Sequence, residues 1–80
     1  MPLSRVEPDY PKRALADNIE GSVTADLTIE EDGHVSNVRI VHAQPPGIFE
    51  REAEKALRQW KFSASDSGIV GEVELNFTLN

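Results

Sequence analysis

Three segments of the chain alternate apolar and polar residues, which is the pattern of β-strands with one buried face. They cover residues 22–30, 35–42 and 73–79. Asp32 and Gly33 separate the first two, and glycine adopts a positive φ cheaply, so a hairpin is predicted there. The side chains predicted to face inward are Val23, Ala25, Leu27 and Ile29 in the first strand, Val38 and Ile40 in the second, and Val73, Leu75, Phe77 and Leu79 in the third.

Two further segments are predicted to be helical. Residues 48–62 place Phe49, Ala53, Leu57 and Trp60 at helical spacing, which gives one apolar stripe. A shorter helix is predicted over KRALA, residues 12–16, because these are good helix formers and Pro11 suits a first helical position. Residues 1–9 show no periodicity and contain two prolines, so they are predicted to form an extended arm.

The resulting order, α-β-β-α-β, predicts a two-layer α+β fold with one short helix, one long helix and a three-stranded antiparallel sheet. The long helix carries the chain back, so the third strand is expected beside the first, in the order 3-1-2, with a right-handed crossover. The rival order 1-2-3 also leaves the third strand at an edge. That edge contains neither lysine nor proline, which normally protect an edge. Either another chain pairs with it, or a loop or a neighbouring subunit covers it.

Composition narrows the range of functions. The net charge of −6 would repel a phosphate backbone, so nucleic acid is not an expected partner. The absence of cysteine excludes disulfides, thiolate metal sites and thiol catalysis. No apolar run approaches the length of about 18 residues that a membrane span needs, and no signal peptide is recognisable, although segments upstream of this sequence are left open.

Few residues suggest chemistry of their own. His34 and His42 lack the motifs of metal or general-base sites and are interpreted as a turn residue and a strand-end residue. The serines of SASDSG are interpreted as a solvated connector, and Trp60 as a core residue. Tyr10 could either attach the arm to the sheet or present its ring to a partner. The sequence therefore predicts neither an enzyme nor a bound metal or cofactor.

Four stretches in register carry a resemblance to a known family. They are EPDYPKRA, IEGSV, IEEDGHVSNVRIVHAQPPGIFEREAEKALRQWKF and the terminal SGIV…VELNFTL. Together they resemble the TonB C-terminal domain family of Gram-negative energy transducers, from about Glu7 to Asn80. The resemblance implies that residues 1–9 are an arm from a periplasmic spacer and that residues 10–80 are the receptor-binding domain.

What the resemblance implies about function is specific. Such a domain is periplasmic, belongs to a protein anchored in the inner membrane, and meets the ExbB–ExbD complex through that anchor. It binds the TonB box of outer-membrane transporters as an added strand, so that proton-motive force drives uptake of iron-siderophore, haem or cobalamin. A TolA-like envelope-integrity domain and a strand-exchanged, weakly dimeric self-association domain are the alternatives.

The family also implies which residues contact the receptor. They form the third strand and the segment up to the Tyr10-Pro11 pair; in this chain that segment is acidic, where the family's best-known pattern is rich in glutamine. The implied partner-binding residues are Glu7, Pro8, Asp9, Tyr10, Val70, Gly71, Glu72, Val73, Glu74, Leu75, Asn76, Phe77 and Thr78.

Overall fold

The elements of the chain follow the predicted order in a computed structural model, which describes residues 2–79. The sheet is antiparallel with the order β2-β1-β3, so the predicted two-layer α+β fold and its strand order are confirmed. Met1 and Asn80, the outer ends of the predicted arm and domain, lie outside the described residues. The elements are α1 (Lys12–Ala16), β1 (Gly21–Ile29), β2 (Val35–Gln44), α2 (Glu50–Leu57), a 3-10 turn (Ala64–Asp66) and β3 (Gly68–Phe77).

The core lies between α2 and the inward face of the sheet. All four inward residues predicted for β1 are buried, as are Phe49 and Leu57 from the helix side. The rings of Phe49 and Phe77 stack with centroids 4.4 Å apart, which joins the start of α2 to the end of β3. Leu75 and Val38 are also buried, whereas Ile40 and Val73 are partly buried against the same cluster.

Helix α2 is shorter than the predicted 48–62, because the chain leaves the helix after Leu57. The amides of Gln59 and Trp60 donate to carbonyls only three residues back, which tightens and ends the helix. Phe62 then runs extended, and its amide donates to the Gly33 carbonyl at 2.8 Å. Trp60 and Phe62 are both buried this way, which a continuing helix would not allow.

The β1–β2 turn packs against this extended segment. Gly33 has a φ of 91°, and a Cβ there would lie 2.0 Å from the Phe62 carbonyl oxygen, so only glycine fits. The amide of His34 donates to the Asp32 carboxylate, and the hydrogen bonds from His34 lower the pKa of Asp32. His34 therefore belongs to the turn, as predicted.

The N-terminal segment is extended and lies against the residues that follow α2. The amides of Leu3 and Ser4 donate to the Lys61 carbonyl at 2.7 and 3.2 Å, and the Lys61 amide donates to Ser4 at 3.0 Å. The indole N–H of Trp60 donates to the Val6 carbonyl at 3.0 Å. The arm is thus attached to the domain along its length, while a boundary between residues 9 and 10 stays a prediction.

Glu50 at the start of α2 should make stability depend on pH. The Gly47 amide donates to both Glu50 carboxylate oxygens, at 2.9 and 2.8 Å, and this lowers the pKa of Glu50. The contribution of this contact to the free energy of unfolding is therefore fully present above the ordinary pKa of glutamate, and it is lost as pH falls through the lowered pKa. We expect Glu50→Gln to lower the free energy of unfolding by about 1 kcal/mol at neutral pH, the size of an N-terminal cap.

Urea unfolding across the acid range measures this effect. The difference between the native chain and Glu50→Gln should close at a pH below the lowered pKa. Glu52→Gln is the control, since Glu52 also lies in the first turn of α2 but does not bind Gly47. A gap between native chain and Glu50→Gln that persists unchanged in acid would contradict the assignment.

Candidate functional site at the outer edge of β3

Strand β3 is an edge strand whose outer side has no partner within residues 2–79. Its only backbone pairing in this part of the chain is with β1, and neither the arm nor a loop bonds to it by main-chain groups. An edge strand directs unpaired N–H and C=O groups outward, where an extended segment can pair with them. Of the explanations left open by the sequence, a covering loop from the described part of the chain is excluded.

A β-bulge interrupts β3, which the alternation from Val73 onward did not predict. Ala25 lies opposite Val73 and Leu27 opposite Val70, so Asp26 faces two residues, Gly71 and Glu72. Glu72 adopts a φ of 58°, and its amide donates to the Asp26 Oδ1 atom at 3.0 Å. The Asp26 side chain thus satisfies the backbone group that the bulge removes from the ladder.

The other edge strand, β2, is irregular at two places. Thr24 and Ala25 of β1 lie opposite His42 and Ile40, which leaves Val41 as an extra residue. Ser36 is a second extra residue near the start of β2, between the partners of Thr28 and Ile29. Bulges blunt an edge against pairing. The longest regular run on either edge is therefore residues 73–77 of β3.

The side chains along this run divide as the sequence predicts. Leu75 and Phe77 are buried, whereas Glu74 and Asn76 are exposed on the outer face of the sheet. The remaining predicted residues of this edge surround the run. Val70 and Val73 are partly buried, and Gly71, Glu72 and Thr78 are exposed, with Thr78 just beyond the strand. Glu72 and Glu74 make the edge negatively charged.

The structure joins one of the predicted arm residues to β3. The Tyr10 ring lies edge-on to Phe77, with centroids 5.9 Å apart, and its hydroxyl donates to the Ile19 carbonyl at 2.5 Å. Partial burial and the nearby Glu20 carboxylate raise the pKa of Tyr10. Tyr10 therefore attaches the arm at the C-terminal end of β3, which is the first of its two predicted roles.

The other three arm residues lie along α2. Glu7, Pro8 and Asp9 line a groove of about 80 Å³ with α2, where Lys55 and Gln59 lie opposite them. No hydrogen bond joins these three residues to β3 in the described chain. The predicted partner-binding residues thus lie in two places, at β3 and along α2. Of the four that precede Pro11, only Tyr10 lies beside β3.

An open groove that the sequence did not indicate lies where the free run ends. It has a volume of about 500 Å³, and Phe77 and Thr78 form one side of it. The rest comes from the start of β1 and the end of β2, including Glu20, Ser22 and Pro45. The groove therefore lies across the end of the sheet, from β3 past β1 to β2, and not along the free side of β3.

The remaining candidates have structural roles. Ser63 Oγ accepts from the Ser65 amide at 3.3 Å and begins the 3-10 turn, as expected of a connector. Trp60 is 3% exposed, which confirms it as a core residue. No cluster of histidine and carboxylate residues suited to a metal ion occurs within residues 2–79. No helix in that part of the chain is long and apolar enough to cross a membrane.

Asp26 is the functional candidate that sequence reasoning missed. It occupies an outward position of β1, where the alternation gave it only the role of a solvated residue. Gly71 was the available signal, because an isolated glycine within a strand pattern indicates a bulge. The partner of that bulge could not be named from the sequence, since it depends on the register of β1 against β3.

A small α+β domain with a free edge strand that is regular over residues 73–77, and with no catalytic cluster in its described part, has the features of a binding domain. The chain belongs to the TonB C-terminal family: the family described as Gram-negative bacterial TonB protein C-terminal matches residues 6–79. This family comprises binding and transducing domains rather than enzymes, as predicted.

Curated and solved relatives agree with this assignment. The chain is 44% identical to Protein TonB of Salmonella typhimurium over 78 residues, and 41% identical to Protein TonB of Escherichia coli, with 98% of this chain covered in each case. The solution NMR structure of the Pseudomonas aeruginosa TonB CTD matches with a TM-score of 0.80 at 29% identity, covering all of this chain and 86% of that one. The chain spans about a third of the length of the two curated relatives, 32% and 33%.

Proposed function

We propose that this chain is the periplasmic receptor-binding domain of a TonB-like energy transducer. It binds the TonB box of outer-membrane transporters, which adds as a further strand to β3. The observation that carries the proposal is the regular, unpaired run of residues 73–77 at the edge of the sheet. Family membership supports the same function, since the curated relatives are TonB proteins.

The bulges support β3 over β2 as the docking edge. An added strand needs successive outward N–H and C=O groups at regular spacing. β2 is interrupted at Ser36 and Val41, whereas β3 is regular from Val73 to Phe77. Tyr10 packs on Phe77 at the end of this run, so it is the residue before Pro11 that lies nearest to a docked segment.

The energetics favour reversible binding. Each backbone hydrogen bond to an added segment contributes about 0.5–1.5 kcal/mol net. Ordering each residue of a flexible segment costs about 1–2 kcal/mol, so backbone pairing alone nearly cancels. The net binding free energy must therefore come from contacts of alternate side chains of the added segment. We expect an affinity near micromolar, about −8 kcal/mol.

The rest of the transducer lies outside this chain in the proposal. A longer protein would supply an inner-membrane anchor, a spacer ending in the arm, and the contact with ExbB–ExbD. Energy from the proton gradient would then reach the transporter through this domain and drive uptake of iron-siderophore, haem or cobalamin. The matched length of the curated relatives, about a third of each, leaves room for such segments.

An NMR titration with a ten-residue TonB-box peptide tests the proposal. Amide shifts should saturate with the peptide and concentrate in β3 and around Tyr10, with none in β2. A scrambled peptide of the same composition is the control. Saturable shifts confined to β2 or to α2 would refute docking on β3.

Self-association through the same edge is distinguished by sedimentation. A binding domain should remain monomeric at titration concentrations and should bind the peptide without any change in the fraction of dimer. A dimer that dissociates as peptide is added would instead show that two copies compete for the edge, and the weak homodimer would then be the resting form.

A further inference from the structure

We infer that the bulge at Gly71–Glu72 sets where the docked segment ends, and that Asp26 is the residue that stabilises this bulge. The inference rests on the proposed function, because it concerns a segment added to β3. It assigns the partner a contact length: the segment pairs with residues 73–77 and leaves the sheet at Val73 rather than continuing to Gly68.

The backbone geometry supplies the reason. Outward-pointing N–H groups in a regular edge strand alternate with a period of two residues. At the bulge two residues of β3 face the single residue Asp26, so that period is broken between Val70 and Val73. Bulges also bend the strand and increase its twist. A straight segment paired with 73–77 is therefore out of register with 68–70.

The bulge is held by a specific contact. Glu72 has a φ of 58°, a conformation that residues other than glycine seldom adopt. The Glu72 amide donates to Asp26 Oδ1 at 3.0 Å, and the same oxygen would lie 3.2 Å from a Cβ at Gly71. Asp26 stabilises the bulge by accepting from the amide that would otherwise lack a partner.

The two halves of β3 differ at this boundary. Ile69 lies beyond the bulge and is 70% exposed, and a segment in register with residues 73–77 leaves it uncovered. The half that is regular ends beside Tyr10 and the open groove. The bulge therefore directs the segment toward the C-terminal end of β3.

Deletion of Gly71 tests the inference directly. It removes one of the two residues opposite Asp26 and leaves every other pair in place, since Ala25 stays opposite Val73 and Leu27 opposite Val70. Val70 and Val73, both packed on the core, keep their inward orientation. The variant should therefore fold with a regular β3, which an amide spectrum and thermal unfolding will show.

The measurement is backbone amide exchange with and without the ten-residue TonB-box peptide of the titration, at about ten times its Kd. In the native chain, protection of about tenfold should appear at outward amides of 73–77 and stop at Val73. With Gly71 deleted, it should extend past Val73 into residues 68–70. Affinity should change little, because each added pair is nearly offset by ordering one more peptide residue.

Three substitutions test how the bulge is stabilised. Asp26→Asn keeps an oxygen acceptor for the Glu72 amide and should leave the exchange of that amide slow in the free protein, while Asp26→Ala removes the acceptor and should speed it. Neither change alters the number of residues between Val70 and Val73, so the boundary of peptide protection should stay at Val73 in both. Glu72→Gly keeps the bulge without the unfavourable φ, so its boundary should also remain native.

The outcomes are distinguishable. Protection of the native chain that crosses the bulge into residues 68–70 overturns the inference and leaves docking on β3 intact. Protection that stays at 73–77 after deletion of Gly71, in a folded variant, overturns it as well. If the peptide protects no amide of β3 in any variant, the proposed function fails and the inference fails with it.

Discussion

Replacing Trp60 with alanine should lower the free energy of unfolding by about 3–5 kcal/mol, the range for truncating a buried large aromatic. The side chain is 3% exposed and packs beside Phe62. It also donates to the Val6 carbonyl, and the Arg5 guanidinium lies 4.7 Å from its ring centroid. A domain of this length has a total stability of only about 4–12 kcal/mol, so the variant should lose a large share of it and unfold at a markedly lower temperature.

Urea unfolding followed by circular dichroism measures the loss. Trp60→Phe should keep most of the packing but lose the indole hydrogen bond, with a smaller loss of about 1–2 kcal/mol. Leu15→Ala is the control, because Leu15 is 50% exposed and should change stability by less than about 0.5 kcal/mol. A stable Trp60→Ala domain would show that the arm, Trp60 and Phe62 contribute little to the core.

N-methylation at alternate residues of the docking peptide should divide its binding sharply into two classes. An added strand directs every second N–H toward its neighbour, so one set of methyl groups removes ladder hydrogen bonds and the other points away. Losing two or three such bonds at about 1 kcal/mol each should weaken binding by about 30-fold or more. The other set should bind within a few-fold of the unmodified peptide.

Isothermal titration of the two methylated peptides against the same protein checks this result. It needs no substitution in the domain, so a change in folding cannot be mistaken for a change in binding. Equal weakening by both sets would show that the peptide lies on the surface by side-chain contacts alone, and strand addition to β3 would be wrong.

Much of this fold could be predicted from the alternation of apolar residues. In β1 every inward position is buried as predicted, because a strand between two others has only one register that buries its apolar set. The order β2-β1-β3 followed from a hairpin and one returning helix, which leave few antiparallel arrangements. The edge position of β3, and with it the candidate site, came from the same argument.

The rest depends on contacts between residues far apart in the sequence. Helix α2 ends at Leu57 because Lys61 and Phe62 bond to Ser4 and Gly33, and no local pattern shows those partners. The bulge depends on Asp26, whose neighbour in β3 is fixed only when the strands are in register. The arm lacked any periodicity, so its attachment through Trp60 was not predictable either.

The irregularities of β2 have a consequence for assembly. Two copies joined head to tail, β2 of one against β3 of the next, would form a contact that repeats without limit, as in a fibre. The extra residues at Ser36 and Val41 disfavour that contact. In a dimer joined β3 to β3, the outer strand of each copy would be β2. Because the extra residues disfavour pairing with β2, no third copy would add and the assembly would stop at a symmetric dimer.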